Sequence, residues 1–236
     1  MKKGQLTVFM IAGILLLMIL GISLLLMTKI ASQSSRQDTD INDYVVSCLK
    51  LTADEGLDRL GRNGGLIAPQ GRYENQTFGR AYYWIKNRGA TYPSIEDGML
   101  GLAGYVQDNI VSCLDNFSGS INIGEPSVRC QATAKSVVVR MKLPVSIVTD
   151  ESAVKRSDFE VILPVMYAKA HSLGEEIVSS RIRHPLDFDL DVLSSAELPV
   201  HILTYKEHHV IVITDKNSRV DSRAFRLIFA IERQKD

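Results

Sequence analysis

The sequence predicts an α+β fold carried behind one apolar N-terminal helix. Three observations predict it. From Leu6 to Met27 there is no charge and no proline. At about 1.5 Å rise per residue a helix makes roughly 33 Å of that run, against a hydrocarbon core of about 30 Å. Beyond it, apolar residues keep helical spacing in one block and strict alternation in others. Helices and strands sit in separate blocks rather than in βαβ units, which defines α+β. The expected arrangement is a transmembrane helix followed by an extracytoplasmic domain with two or three helices and antiparallel β-meanders.

The expected boundaries are a signal-anchor over residues 1–30, a polar stalk over 31–40 and a domain over 41–236. A buried core helix would keep a polar stripe, and residues 5–28 have none. A cleavable secretory signal has a shorter apolar region and small residues before the cut. A cut after Ala31 would leave Lys29 at the −3 position. The stalk, ASQSSRQDTD, is small, polar and unpatterned.

Lys2-Lys3-Gly4-Gln5 runs directly into the apolar stretch. This start resembles the class III signal peptides of archaeal pilins and archaellins. The resemblance implies a cut between Gly4 and Gln5, after which the apolar stretch would begin the mature subunit. The family pattern continues Gln-x-Ser-x-Glu-Phe, and this chain reads Gln5-Leu6-Thr7-Val8-Phe9-Met10. Phe9 stands where the family has Glu. In the related type IV pilin filaments that Glu offsets a buried terminal amine, and an unpaired charge in an apolar bundle is costly.

The chain has 236 residues, with 27 basic and 27 acidic. About 205 residues beyond the anchor suffice for one large domain or two small ones with a real core. A net charge of zero and no basic stripe speak against nucleic acid as a partner. Lys2 and Lys3 before the span favour a cytoplasmic N-terminus slightly, because Lys29 and Arg36 follow it. Asn75-Gln76-Thr77 and Asn116-Phe117-Ser118 are glycosylation sequons, which have meaning only outside.

Of the three cysteines, Cys48 and Cys113 each sit in Ser-Cys-Leu on segments that read as amphipathic helices. A disulfide between them is expected, the other reading being two small buried residues in a helix pair. Cys130 falls on a strand and is expected to stay a buried free thiol.

The first domain helix is expected from about Ile41 to Leu60, on the spacing of Ile41, Val45, Cys48, Leu49, Leu57 and Leu60. Gly61 and Asn63-Gly64-Gly65 end it. Residues 66–93 read as loop with short extended pieces. Within them Tyr82-Tyr83-Trp84 reads as packing, the alternative being a ligand platform. Ser94, with Asp97 three residues on, opens a second helix by a capping-box variant. Leu100, Leu102, Tyr105, Val106, Ile110, Cys113 and Leu114 give its apolar face, and Gly98, Gly101 and Gly104 admit close neighbours.

Near residue 120 the period changes to two. Val128 to Ala132, Val137 to Ile147 and Phe159 to Val165 alternate, predicting a three-stranded antiparallel meander with one apolar face. A helix from about Val165 to Arg183 follows, with Met166, Ala170, Leu173, Ile177 and Ile182 on one side. Strands are expected over Pro199–Tyr205 and Val210–Thr214, around an exposed turn at Lys206–His209. A turn at Asp215–Arg219 then leads to a last strand through Phe225, Leu227, Phe229 and Ile231.

No motif for chemistry stands out. Asp187, Asp189 and Asp191 have the first three spacings of a calcium loop, but Val192 and Leu198 occupy the positions that need Gly and Glu. They read as an exposed carboxylate face or as the capped start of a short helix at Asp191. The five histidines, His171, His184, His201, His208 and His209, include no i, i+4 pair and join no cysteine pair. Neither a nucleophile elbow nor a glycine-rich phosphate loop is present. No catalytic residue, cofactor or metal is therefore expected.

As a whole the layout resembles uncharacterised single-span surface proteins of small-genome archaea. That resemblance rests on the Lys-Lys-Gly-Gln start, the paired Ser-Cys-Leu, Gly124-Glu125-Pro126-Ser127-Val128 and the closing strands, and it implies no activity. The expected role is structural or binding, at the cell surface, with the lipid bilayer and copies of itself or other surface proteins as partners. A pilin-like subunit processed after Gly4 is the alternative, and a surface enzyme a distant third.

Overall fold

The structure, a computed structural model, describes residues 18, 41–68, 73–76, 79–87, 89–115, 121–148 and 153–233. The anchor, the stalk, Gly4, Gln5 and Asn116 lie outside the described residues, Met18 of the anchor excepted. Among the described residues no helix is long and apolar enough to cross a membrane. From residue 41 onward the described residues form an α+β fold with four helices and two sheets.

The first helix, α1, covers 41–62, and its apolar positions are buried as their spacing requires: Ile41, Val45, Cys48, Leu49, Leu57 and Leu60 are at most 3% exposed. Gly64 and Gly65 follow it with φ of 69° and 90°. The Gly65 N–H donates back to the Leu60 carbonyl at 2.8 Å, closing the helix end.

Helix α2 runs Ile95–Leu114 behind the expected capping box, in which Ser94 and Asp97 each bond the other's backbone N–H. Its stripe is narrower than the sequence suggests, for Leu100 is 71% exposed. Of its three glycines, Gly98 admits the closest neighbour. A Cβ there would lie 2.5 Å from the Tyr167 hydroxyl oxygen, whereas Gly104 faces open space.

Within 66–93 the described residues form more strand than the loop-like composition indicates. They hold β1 (Tyr73–Gln76), β2 (Gly79–Lys86) and the short β3 (Gly89–Ala90). The larger sheet has the order β1-β2-β10-β9-β8, with β3 also on β2. Its other members are β8 (Val200–Thr204), β9 (His208–Val220) and β10 (Arg223–Glu232). β10 pairs parallel to β2 and antiparallel to β9, so the sheet is not a pure meander.

The hairpin turn is also displaced from its expected place. Residues 215–219 belong to β9, and the chain reverses at Asp221 and Ser222, with φ of 46° and 63°. Two consecutive left-handed residues match the twist of a two-residue hairpin.

The second sheet is the expected meander with one addition. β5 (Ser127–Ala132), β6 (Val137–Val148) and β7 (Ala153–Leu163) pair antiparallel, and β4 (Ile121–Ile123) joins β6 beyond β5. Val137, Val139, Met141, Leu143 and Val145 face inward, as do Phe159, Val161 and Leu163. Across the outer face Arg140 pairs with Glu160 at 2.5 Å.

Helix α3 spans Tyr167–Arg183, and Ile182, expected on its apolar side, is 41% exposed. A one-turn helix, α4, follows at Leu190–Ser194. One core joins α1, α2 and α3 to the inner faces of both sheets. A smaller buried cluster, Ala81, Val210, Val212, Ile228 and Ala230, lies on the other face of the larger sheet.

Met166, at the start of α3, has no capping side chain of its own. Asp215 on β9, only 1% exposed, supplies the cap: its Oδ2 accepts from the Met166 N–H at 3.0 Å, and its Oδ1 from the Asn217 N–H at 3.1 Å. Asp215→Ala strands both donors. It is expected to cost about 2–4 kcal/mol in urea unfolding, from the penalty of unsatisfied buried groups. A loss under 0.5 kcal/mol would show that water replaces the carboxylate.

Candidate functional site

A cleft of about 1050 Å³ lies between the outer face of α1 and the β9–β10 turn. Helical spacing builds one wall. Asp54, Glu55, Asp58, Arg59 and Arg62 all fall on the side of α1 away from the core. Glu55 pairs with Arg59 at 3.1 Å and Asp58 with Arg62 at 2.9 Å, both at i, i+4. The Arg59 guanidinium also lies 5.0 Å from the centre of the Tyr105 ring. These pairs fix side-chain geometry more than they add stability.

The opposite wall comes from the larger sheet: Arg80 on β2, Arg219 on β9, Asp221 in the turn and Arg223 on β10. Arg80 rests 4.7 Å from the centre of the Tyr73 ring. Arg219 donates from one guanidinium nitrogen to the carbonyls of Lys216 and Ser218, at 3.0 and 2.9 Å. Among the described residues no ion pair to a carboxylate forms at Arg80, Arg219 or Arg223. Across the cleft, half-burial holds the Asp54 carboxyl above its usual range. The nearby Asp221 carboxylate pushes the same way, and Lys50 opposes them.

The sequence-marked residues lie elsewhere. Cys48 and Cys113 form a disulfide between α1 and α2, and the Tyr44 hydroxyl donates to the Cys113 carbonyl beside it at 2.9 Å. Cys130 is free on β5 and half-buried, its thiol pushed up to about 12 by that burial. Asn75 lies on β1, opposite Arg80. Asp189, not Asp191, caps α4, its Oδ1 accepting the Asp191 N–H at 3.0 Å. That backbone bond, with another from Val192 and one from Ser180, keeps the Asp189 carboxyl below the usual range despite some desolvation. Among the described residues no three His, Cys, Asp or Glu side chains gather as a metal site would need.

The histidines give the clearest correction. His208 and His209 are not in an exposed turn; both are 8% exposed, at the start of β9. His209 Nδ1 lies 3.1 Å from the Thr204 hydroxyl, and its ring meets Phe188 edge-on at 5.0 Å. Burial, then the Arg181, Arg233 and His208 charges, push its pKa down to about 4. His171 is fully buried, with Nε2 2.8 Å from the Pro93 carbonyl and Nδ1 3.5 Å from Glu175. Desolvation lowers its pKa against the raising effects of Pro93, Glu175 and Glu96.

Each ring therefore takes up its proton at lower pH in the folded domain than in the unfolded chain. Stability is full above about pH 6.5 and falls as pH drops from there toward the folded-state pKa values, by at most about 1.4 kcal/mol per unit for each histidine. Urea midpoints at pH 7 and pH 5 check this. His209→Gln should flatten the slope by one proton, and an unchanged slope would remove His209 from the account.

Compared with protein-family models, with curated proteins and with solved structures, the chain matches none.

Proposed function

We propose that the chain is a membrane-anchored extracytoplasmic domain with a structural or binding role at the cell surface. In this reading residues 5–28 stay in the bilayer, the N-terminus is cytoplasmic, and the α+β domain stands outside. No catalytic role is assigned to it. The supporting observation is the disulfide between Cys48 and Cys113, because such bonds persist in oxidising compartments and are rare where thiols are kept reduced. The uncharged run from Leu6 to Met27 supports the anchor. The open cleft supports a binding role for the domain.

Alkylation mapping on cells lysed under thiol-blocking conditions tests the location. The Cys48–Cys113 cross-linked peptide is expected, together with digestion of the domain by protease added to intact cells. Free thiols at both positions and full protection from protease would overturn the reading.

The start Lys2-Lys3-Gly4-Gln5 favours a second reading, a pilin-like subunit cut after Gly4 that assembles through its N-terminal helix. Intact mass from native membranes separates the two. A mature chain beginning at Gln5 selects the subunit, and retention of Lys2 and Lys3 selects the anchor.

A further inference from the structure

We propose that the cleft between α1 and the β9–β10 turn binds an acidic polysaccharide whose carboxylates are spaced among hydroxyl groups. The proposal rests on the surface-binding reading above. It starts from an imbalance between the two walls. On α1 each of Arg59 and Arg62 already has its own carboxylate. On the sheet side Arg80, Arg219 and Arg223 line the same cavity from three different strands, and none pairs with a described carboxylate. A guanidinium presents a planar fork of donors that matches a carboxylate, and here three guanidinium side chains line one space, Arg219 keeping its remaining donors beyond the nitrogen that bonds Lys216 and Ser218.

The ligand cannot be a simple run of negative charge. Asp54 and Asp221 share the cleft and oppose anions close to them. They can only accept hydrogen bonds, so a matching ligand must also carry donors that are not cationic groups competing for the arginines. Sugar hydroxyls meet that condition. A polyglutamate chain offers the two aspartates only backbone amide N–H donors and oligothymidylate only one ring N–H per base, far fewer donors than a sugar chain carries, and a neutral glycan brings hydroxyls without anions. A cavity of about 1050 Å³ at the upper end of small-molecule sites is large enough for several sugar rings.

The test uses the purified full-length chain in detergent and titration calorimetry against four probes: hyaluronan octasaccharide, dextran of similar size, polyglutamate and oligothymidylate. Hyaluronan is expected to bind at least tenfold more tightly than each of the others. The double variant Arg219→Ser/Arg223→Ser should lose at least tenfold in affinity for it, and Asp54→Asn should lose less. Arg140→Ser, on the outer face of the smaller sheet, should bind as the unaltered chain does. Circular dichroism confirms that each variant is folded.

Equal binding of polyglutamate and hyaluronan would reduce the cleft to a general anion patch and overturn the proposal. Unchanged affinity in the folded double variant, or no binding by the unaltered chain, would overturn it too. These outcomes are independent of where the domain resides. Protease accessibility on intact cells reports the location whether or not the glycan binds.

Discussion

Replacing both Cys48 and Cys113 by alanine is expected to lower the stability of the domain by about 4 kcal/mol. The bridge closes a separation of 65 residues, and the chain-entropy relation gives that figure for a loop of this length. The loop holds β1, β2, β3 and most of α2, so an unbridged unfolded chain regains freedom over nearly a third of the described residues. Spread over a domain of this size, the loss corresponds to a fall of roughly 10 °C in melting temperature. Thermal unfolding of the oxidised protein, the reduced protein and the double variant measures it. The last two should melt together and well below the first. Cys130→Ala should leave the oxidised protein's melting temperature nearly unchanged, because that thiol, held up to about 12 by burial, offers little thiolate for exchange. Coincident melting of all forms would mean that packing of α1 on α2 already restricts the unfolded chain.

Trp84→Ala carries a comparable cost, about 3–5 kcal/mol, by a different route. The Trp84 ring is fully buried and stacked on Phe229, with centroids 4.1 Å apart and planes 15° from parallel. Tyr92 and His171 close its sides at 5.4 and 5.0 Å. Below it α3 comes so close that a Cβ on Gly174 would sit 2.5 Å from the ring. Its Nε1–H donates to the Gly64 carbonyl at 2.9 Å, tying β2 to the end of α1. Alanine empties the meeting point of β2, β10, α1 and α3. Trp84→Phe keeps most of the apolar contact and loses the hydrogen bond, so it should cost about 1–3 kcal/mol. Chemical denaturation separates these two parts. A Trp84→Ala loss below 1 kcal/mol would show that the neighbouring aromatics collapse into the space.

The elements that could be read from sequence are those with one buried face. β6 alternates because only its odd residues, from Val137 to Val145, meet the core, and α1 repeats every three to four residues for the same reason. β2 could not be read this way. Ala81, Trp84 and Ile85 are all buried, and both faces of the larger sheet carry apolar clusters, so period two disappears. β9 is buried continuously from His208 to Asp215, which hides its two histidines behind a composition that suggests a turn. Asp215-Lys216-Asn217-Ser218 also reads as a turn, yet Asp215 is spent on capping a helix whose N-cap residue, Met166, lies 49 residues earlier. The cleft had no local signature at all. Its arginines lie between positions 59 and 223 and meet only once β2, β9 and β10 are assembled.

The pairing of β2 with β10 sets an order on the biogenesis of the protein. Tyr82 and Tyr83 stand beside Phe229 and Ala230, so the strand in the middle of the larger sheet is the last of the described strands to be synthesised. While the ribosome is still extending the chain, β2 has no partner on that side, and Trp84 lacks the ring it stacks on. The smaller sheet can assemble earlier from neighbouring segments, but the larger one must wait for a contact spanning almost 150 residues, the slow kind in folding. A chain that stays open until its final strand emerges is one whose larger sheet cannot close during synthesis. It is also one that a premature stop before residue 223 would leave with an unpaired sheet edge, for proteases to remove.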